Sequence, residues 1–141
     1  MSAPSHTVLV YSSSAELRDT VRTALGRHPA EDLGRIEIVE ASTVREFLAA
    51  VDGGGIDCAV LDGEARPAGG LGLAKQVKDE LVDCPPTLVL LKRTGDSWLG
   101  AWSNADALLP LPVDARALRE AVVALVRSRE AGLPVRRAAE L

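Results

Sequence analysis

Apolar residues fall in short blocks along this chain, and after each block the apolar period lengthens to three or four. Val8 to Tyr11 is the first block, of strand length; Leu17, Val21, Ala24 and Leu25 then share one helical face. Ser13 with Glu16 predicts a capping box for that helix, and Gly26 predicts its stop. Residues 27–35, RHPAEDLGR, are polar with Pro and Gly and read as a loop. IEIVEA (36–41) alternates and reads as a second strand. Thr43 and Glu46 form another capping box, and Val44, Phe47, Leu48 and Val51 follow at helical spacing until Asp52-Gly53-Gly54-Gly55 ends the helix. IDCAVL (56–61) is almost continuously apolar, as a strand covered on both faces should be. DGEARPAGG (62–70) reads as a loop, and Leu73, Val77 and Leu81 mark a third helix. Pro85-Pro86 breaks the chain before a fourth buried strand, TLVLL (87–91). A short fourth helix is predicted over 96–103, and ALLPLP (107–112) is a short fifth strand. Asp114 is placed to cap a last helix with Leu118, Val122, Leu125 and Val126 inward.

Strand and helix thus alternate five times. Buried parallel strands need helical crossovers, and those crossovers are right-handed. The expectation is an α/β fold: a doubly wound five-stranded parallel sheet, ordered 2-1-3-4-5, with helices on both faces. Pro110 supports that order, since proline cannot donate to a ladder and belongs on an edge strand. Residues 1–130 read as one domain, and 131–141, with Gly132 and Pro134, as a flexible tail.

Composition narrows the function. The chain has 141 residues, room for one domain, with 47% apolar residues but only 3% aromatics, too few for an aromatic-lined pocket. Net charge is −4 with no dense basic cluster along the sequence, which argues against a nucleic-acid footprint. Cys58 and Cys84 fit neither a CxxC pattern nor a disulfide framework, and Cys58 reads as a small core residue. The N-terminus does not read as a signal peptide and no apolar run reaches bilayer-spanning length, so a cytoplasmic protein is expected.

In an open parallel sheet, ligands bind beyond the carboxyl ends of the strands, near the point where strand order reverses. That rim should gather Ser12, Ser13 and Ser14, Asp62, Lys92, and Leu111-Pro112. A nucleophilic serine would need a base within reach, but His6 reads as tail and His28 as a loop at the opposite rim. Asp62 reads either as a reactive carboxylate or as a surface-loop carboxylate, solvated or capping a turn with Gly63. Glu64, Arg66 and Lys92 offer charge beside it, although each is more commonly a solvated loop residue.

VLVYSSSAELRDTV, IDCAVLDGEARPAGGLGLAKQVK and ADALLPLPVDARALREAV, in that order and spacing, resemble the receiver domain of bacterial response regulators over about residues 6–130. The resemblance implies a flavodoxin-like receiver fold and a phosphoryl-accepting site of five positions. Two acids after strand one hold Mg²⁺, an Asp after strand three accepts the phosphoryl group, a Thr or Ser ends strand four, and a Lys precedes a Pro after strand five. Phosphoryl transfer needs such a cation and fixed positive charge to offset the developing anion. On this chain the acid pair maps to Ser12 and Ser13, the acceptor to Asp62, the hydroxyl to Leu91 and the Lys to Leu111, before the matching Pro112. The loop departs too: Pro67 comes one residue late and Arg66 takes an apolar position. The aromatic that follows phosphorylation in the family maps to Leu108.

The serines therefore read as the vestige of a metal-binding acid pair, kept as a helix cap. The expectation is a degenerate, stand-alone pseudo-receiver, not an enzyme, with no metal and no cofactor, acting through unidentified protein partners. No effector domain is read after the fold. A homodimer through the fourth helix, fifth strand and last helix is one arrangement the resemblance implies. Trp98 and Trp102, four apart, either pack onto the sheet or stand exposed as interface anchors. The alternatives are a live receiver phosphorylated at Asp62 and a flavodoxin-like small-ligand sensor; the second lacks a phosphate-binding loop.

Overall fold

The computed structural model of the protein describes residues 5–66, 69–81, 83–92 and 104–130. Among them the order is β1 (His6–Tyr11), α1 (Ala15–Leu25), β2 (Ile36–Ala41), α2 (Val44–Asp52), β3 (Cys58–Asp62), α3 (Gly70–Glu80), β4 (Thr87–Leu91), β5 (Ala107–Pro110) and α4 (Ala115–Glu130). The strands form one parallel sheet ordered β2-β1-β3-β4-β5, as the sequence predicts. The short helix expected over 96–103, with Trp98 and Trp102, lies outside the described residues, as does the tail 131–141.

Strand periodicity divides the core in two. Val8, Val10, Cys58, Val60, Leu88 and Leu90 face α1 and α4. Leu9, Tyr11, Ala59, Leu61, Val89 and Leu91 face α2 and α3. Helices on both faces explain why β3 and β4 are apolar at nearly every position. β5 is an edge, where Pro110 withholds no needed donor.

Several boundaries differ from the sequence reading. His6 is not tail: it is the first residue of β1 and is buried, with its amide donating to the Arg35 carbonyl at 2.8 Å. α1 is capped by Ser14, whose hydroxyl accepts from the Leu17 amide at 3.2 Å. Ser13 instead accepts from the Arg66 amide at 3.1 Å, so that hydroxyl is spent on the β3–α3 loop. The Thr43 cap is as predicted, accepting from the Glu46 amide at 3.1 Å, while the Glu46 carboxylate reaches back to the Ser42 amide at 2.9 Å. Asp114 caps α4 through the Ala117 amide at 3.0 Å.

The 27–35 loop is polar in sequence but anchored in fact. Leu33 inserts into the α1–α4 side of the core, and Gly34 at φ 82° turns the chain behind it. At the amino-terminal rim of the sheet, Asp106 accepts from Lys78 Nζ at 2.6 Å and from the Thr87 amide at 2.8 Å. That buried ion pair ties α3 to the starts of β4 and β5.

Candidate functional site

The carboxyl-terminal rim is where the β1–α1 and β3–α3 loops meet. Strand register sets Tyr11 beside Leu61, so Ser12 and Asp62 leave the sheet side by side. Asp62 is the last residue of β3 and is buried, which corrects the reading of a solvated loop carboxylate. Its Oδ2 accepts from the Ser12 hydroxyl at 2.7 Å and its Oδ1 from the Glu64 amide at 2.8 Å. Ser12 is also buried, and its Oγ accepts from the Ser14 amide at 3.0 Å. One hydroxyl thus satisfies the α1 entrance and the Asp62 carboxylate together, as buried polar groups require.

The loop after Asp62 approaches β4 closely. The Gly63 amide donates to the Leu90 carbonyl at 2.8 Å, and a Cβ on Gly63 would stand 2.6 Å from that oxygen and from Leu91 Cδ2. A Cβ on Gly70 would stand 2.7 Å from Leu61 Cβ, so α3 begins where only glycine fits. Leu91 is buried among Leu9, Tyr11 and Leu61, and its carbonyl accepts from the Leu111 amide at 2.8 Å. Leu111 packs against the core of the opposite face, and the Leu111–Pro112 peptide is cis. Leu108 is half-buried on the α2–α3 side. The structure brings Ser12, Ser13 and Asp62 together and sets Leu91 into the apolar core beside them. The Lys92 amide meets the Glu64 carboxylate at 3.4 Å.

Two residues of this rim escaped sequence reasoning. Tyr11 is buried, packs edge-on against Phe47 at 5.5 Å, and has its hydroxyl pKa raised by burial and then by the charge of Asp62. Its signal was its place, last in the strand before the serines. Arg18 donates to the Ser12 carbonyl at 2.6 Å and to Glu40 at 3.1 Å, fixing the serine loop from outside. Arg22 pairs with the same Glu40, and the two guanidiniums hold that carboxyl below the usual glutamate range. The Arg18 contacts reach Ser12, six residues back, and Glu40 on β2, so no i,i+4 spacing in the sequence announces them.

This donor set fits a hard divalent cation poorly. Such ions take several oxygens, chiefly carboxylate. Here the Asp62 carboxylate has both oxygens already accepting from the chain, the Ser12 and Ser13 hydroxyls beside it are uncharged, and the Glu64 carboxylate is turned to the Lys92 amide. Among the described residues no group of three or more His, Cys, Asp or Glu is disposed to hold a metal ion.

No protein-family model matches the chain. It is 48% identical over 121 residues to an uncharacterized response regulatory protein of Mycobacterium tuberculosis, in both strain CDC 1551 / Oshkosh and strain ATCC 25618 / H37Rv. The match covers 86% of this chain and 91% of that protein. Among solved structures, a response regulator receiver domain from Clostridium thermocellum superimposes with a TM-score of 0.76 at 17% identity, covering 91% of this chain and 99% of that one. The receiver domain of the Francisella response regulator 1452 gives 0.74 at 21% identity, covering 88% and 98%. A CheY-like receiver domain from Methanospirillum hungatei gives 0.72 at 19%, covering 92% and 99%.

Proposed function

The chain belongs to the response-regulator receiver family, and from that premise we propose that it acts in two-component signalling through protein contacts, without a magnesium-dependent phosphorylation cycle at Asp62. One observation carries the reading: the Ser12 hydroxyl donates to Asp62 at 2.7 Å, at the position where the family resemblance puts a metal-binding acid. The Asp62 carboxylate is thereby satisfied from within the chain. Leu91 and Leu111, at the resembled hydroxyl and lysine positions, supply neither a hydrogen bond nor a charge to a phosphoryl group. Leu108, at the resembled aromatic position, leaves the relay without its second moving part. The output face of β5 and α4 then works in one fixed state, and a homodimer across it is part of this reading.

We read residues 1–130 as one cytoplasmic receiver domain that is not an enzyme and binds neither a cofactor nor nucleic acid. In support of a non-membrane role, no helix of the described residues is long and apolar enough to cross a bilayer. Incubation with acetyl phosphate and Mg²⁺, followed by intact-mass measurement, should leave the mass unchanged. A gain of one phosphoryl mass that Asp62→Asn abolishes would establish the alternative, a live receiver using Asp62.

A further inference from the structure

The outer stripe of α4 and the 27–35 loop enclose a groove of about 460 Å³ that the phosphoryl-site reading leaves unused. Its floor is apolar, built from Pro29, Ala30 and Val123. Its rim carries Arg116, Arg119 and Arg127, with Glu120 as the one acid among the described lining residues. Leu33 anchors the loop wall in the core, and Arg127 bonds Asp32 at 2.5 Å across the groove mouth. The groove is therefore preformed by packing. Arg119 is exposed and makes no ion pair among the described residues, while Arg116 is held by Glu120 at 3.1 Å. On the other side of the same loop, Arg22, Arg27 and Arg35 line a second groove of about 570 Å³ together with Glu37. In the described lining of each groove three arginines thus stand against one glutamate, although the chain carries −4 overall, and Arg119 is the guanidinium without an ion pair in the first.

We propose that the α4 groove docks an acidic, amphipathic segment of a partner protein. Its apolar residues seat on the floor and its carboxylates meet the arginines. Charge complementarity selects this occupant. Guanidinium forks match carboxylates in pairs, and a concave apolar floor takes side chains. Nucleic acid is disfavoured: no aromatic is among the described residues that line the groove, and the whole molecule is an anion. The inference rests on the functional reading only in that the chain signals by protein contact; it does not depend on the state of Asp62.

The test is fluorescence anisotropy with a labelled amphipathic peptide of leucine and glutamate at helical spacing. Saturable binding that weakens with salt is expected, and about a tenfold or greater loss in the R116E/R119E variant. Both arginines are exposed, so an unchanged unfolding midpoint should certify that variant's fold. Equal binding by the variant, equal binding of the peptide with lysine in place of glutamate, or stronger binding there of a duplex oligonucleotide or phosphatidylglycerol vesicles would overturn the proposal. Asp62→Asn should bind the peptide as the native chain does. Binding that requires phosphorylated Asp62 would instead defeat the functional reading and leave the groove standing.

Discussion

Gly63 sits between the Asp62 carboxylate and the end of β4, where a side chain has no room. Its φ is not in the left-handed region, so the demand for glycine is one of space. A methyl group there meets the Leu90 carbonyl oxygen as well as Leu91 Cδ2, and backbone yields less readily than a side chain. Gly63→Ala should therefore lower stability by about 1–3 kcal/mol, read from the urea midpoint. Pairing it with Leu91→Ala should not restore the loss, because the clash with the Leu90 carbonyl persists. Full rescue would mean that Leu91 alone dictates the glycine. Ser12 shows the opposite kind of constraint at the same site. Its hydroxyl is held by what it must satisfy, the Ser14 amide on one side and Asp62 on the other. The sequence marked Ser12 and Asp62 as neighbours through their strand ends, but not their burial, since nothing local to DGEARP says that the loop folds down onto β4.

Elements were legible where period and caps agree. β2 and β4 have the predicted bounds, and Thr43 and Asp114 cap the helices they precede. α1 shows how a cap slips. Three consecutive serines offer three candidate registers, and the box spacing to Glu16 favoured Ser13 over Ser14. A long-range bond to Arg66 decides between them, and no local pattern carries that information. The same holds for the junction of α3, β4 and β5. Lys78 and Asp106 are 28 residues apart, and each looks like a surface charge until the helix end meets the strand starts. Their side chains are only 13% and 1% exposed, so removing one partner strands the other in the interior. Asp106→Ala also takes the acceptor from the Thr87 amide. A loss of about 3–5 kcal/mol is expected by chemical denaturation. A double-mutant cycle with Lys78→Met should show strong coupling; additive losses would mean that the pair is solvated and the junction held by packing alone.

At the scale of the molecule, alternation of strand and helix specified the sheet order, because parallel strands admit few crossovers. It did not specify the α4 groove, which exists only because Leu33 turns a polar loop into a wall. Cys58 reports on how cooperatively this whole is held. It lies in β3 with none of its surface exposed, and burial, with Asp106 and Asp57 adding to it, pushes its thiol up to about 12. The thiolate is the reactive form, so the folded chain offers an alkylating reagent neither access nor nucleophile at pH 8. Modification must then pass through unfolding of the central strand, and its rate follows the population of the open state. Cys84 is half-buried and its thiol is also raised, by burial first, so a Cys84→Ser background isolates the signal. In that background, iodoacetamide labelling followed by mass spectrometry should be slow for the native chain. Each kcal/mol lost by Gly63→Ala or Asp106→Ala should speed it by about fivefold. Fast labelling in native buffer, indifferent to both substitutions, would mean that β3 opens independently of the sheet on either side of it, and the two-sided core would lose its central strand.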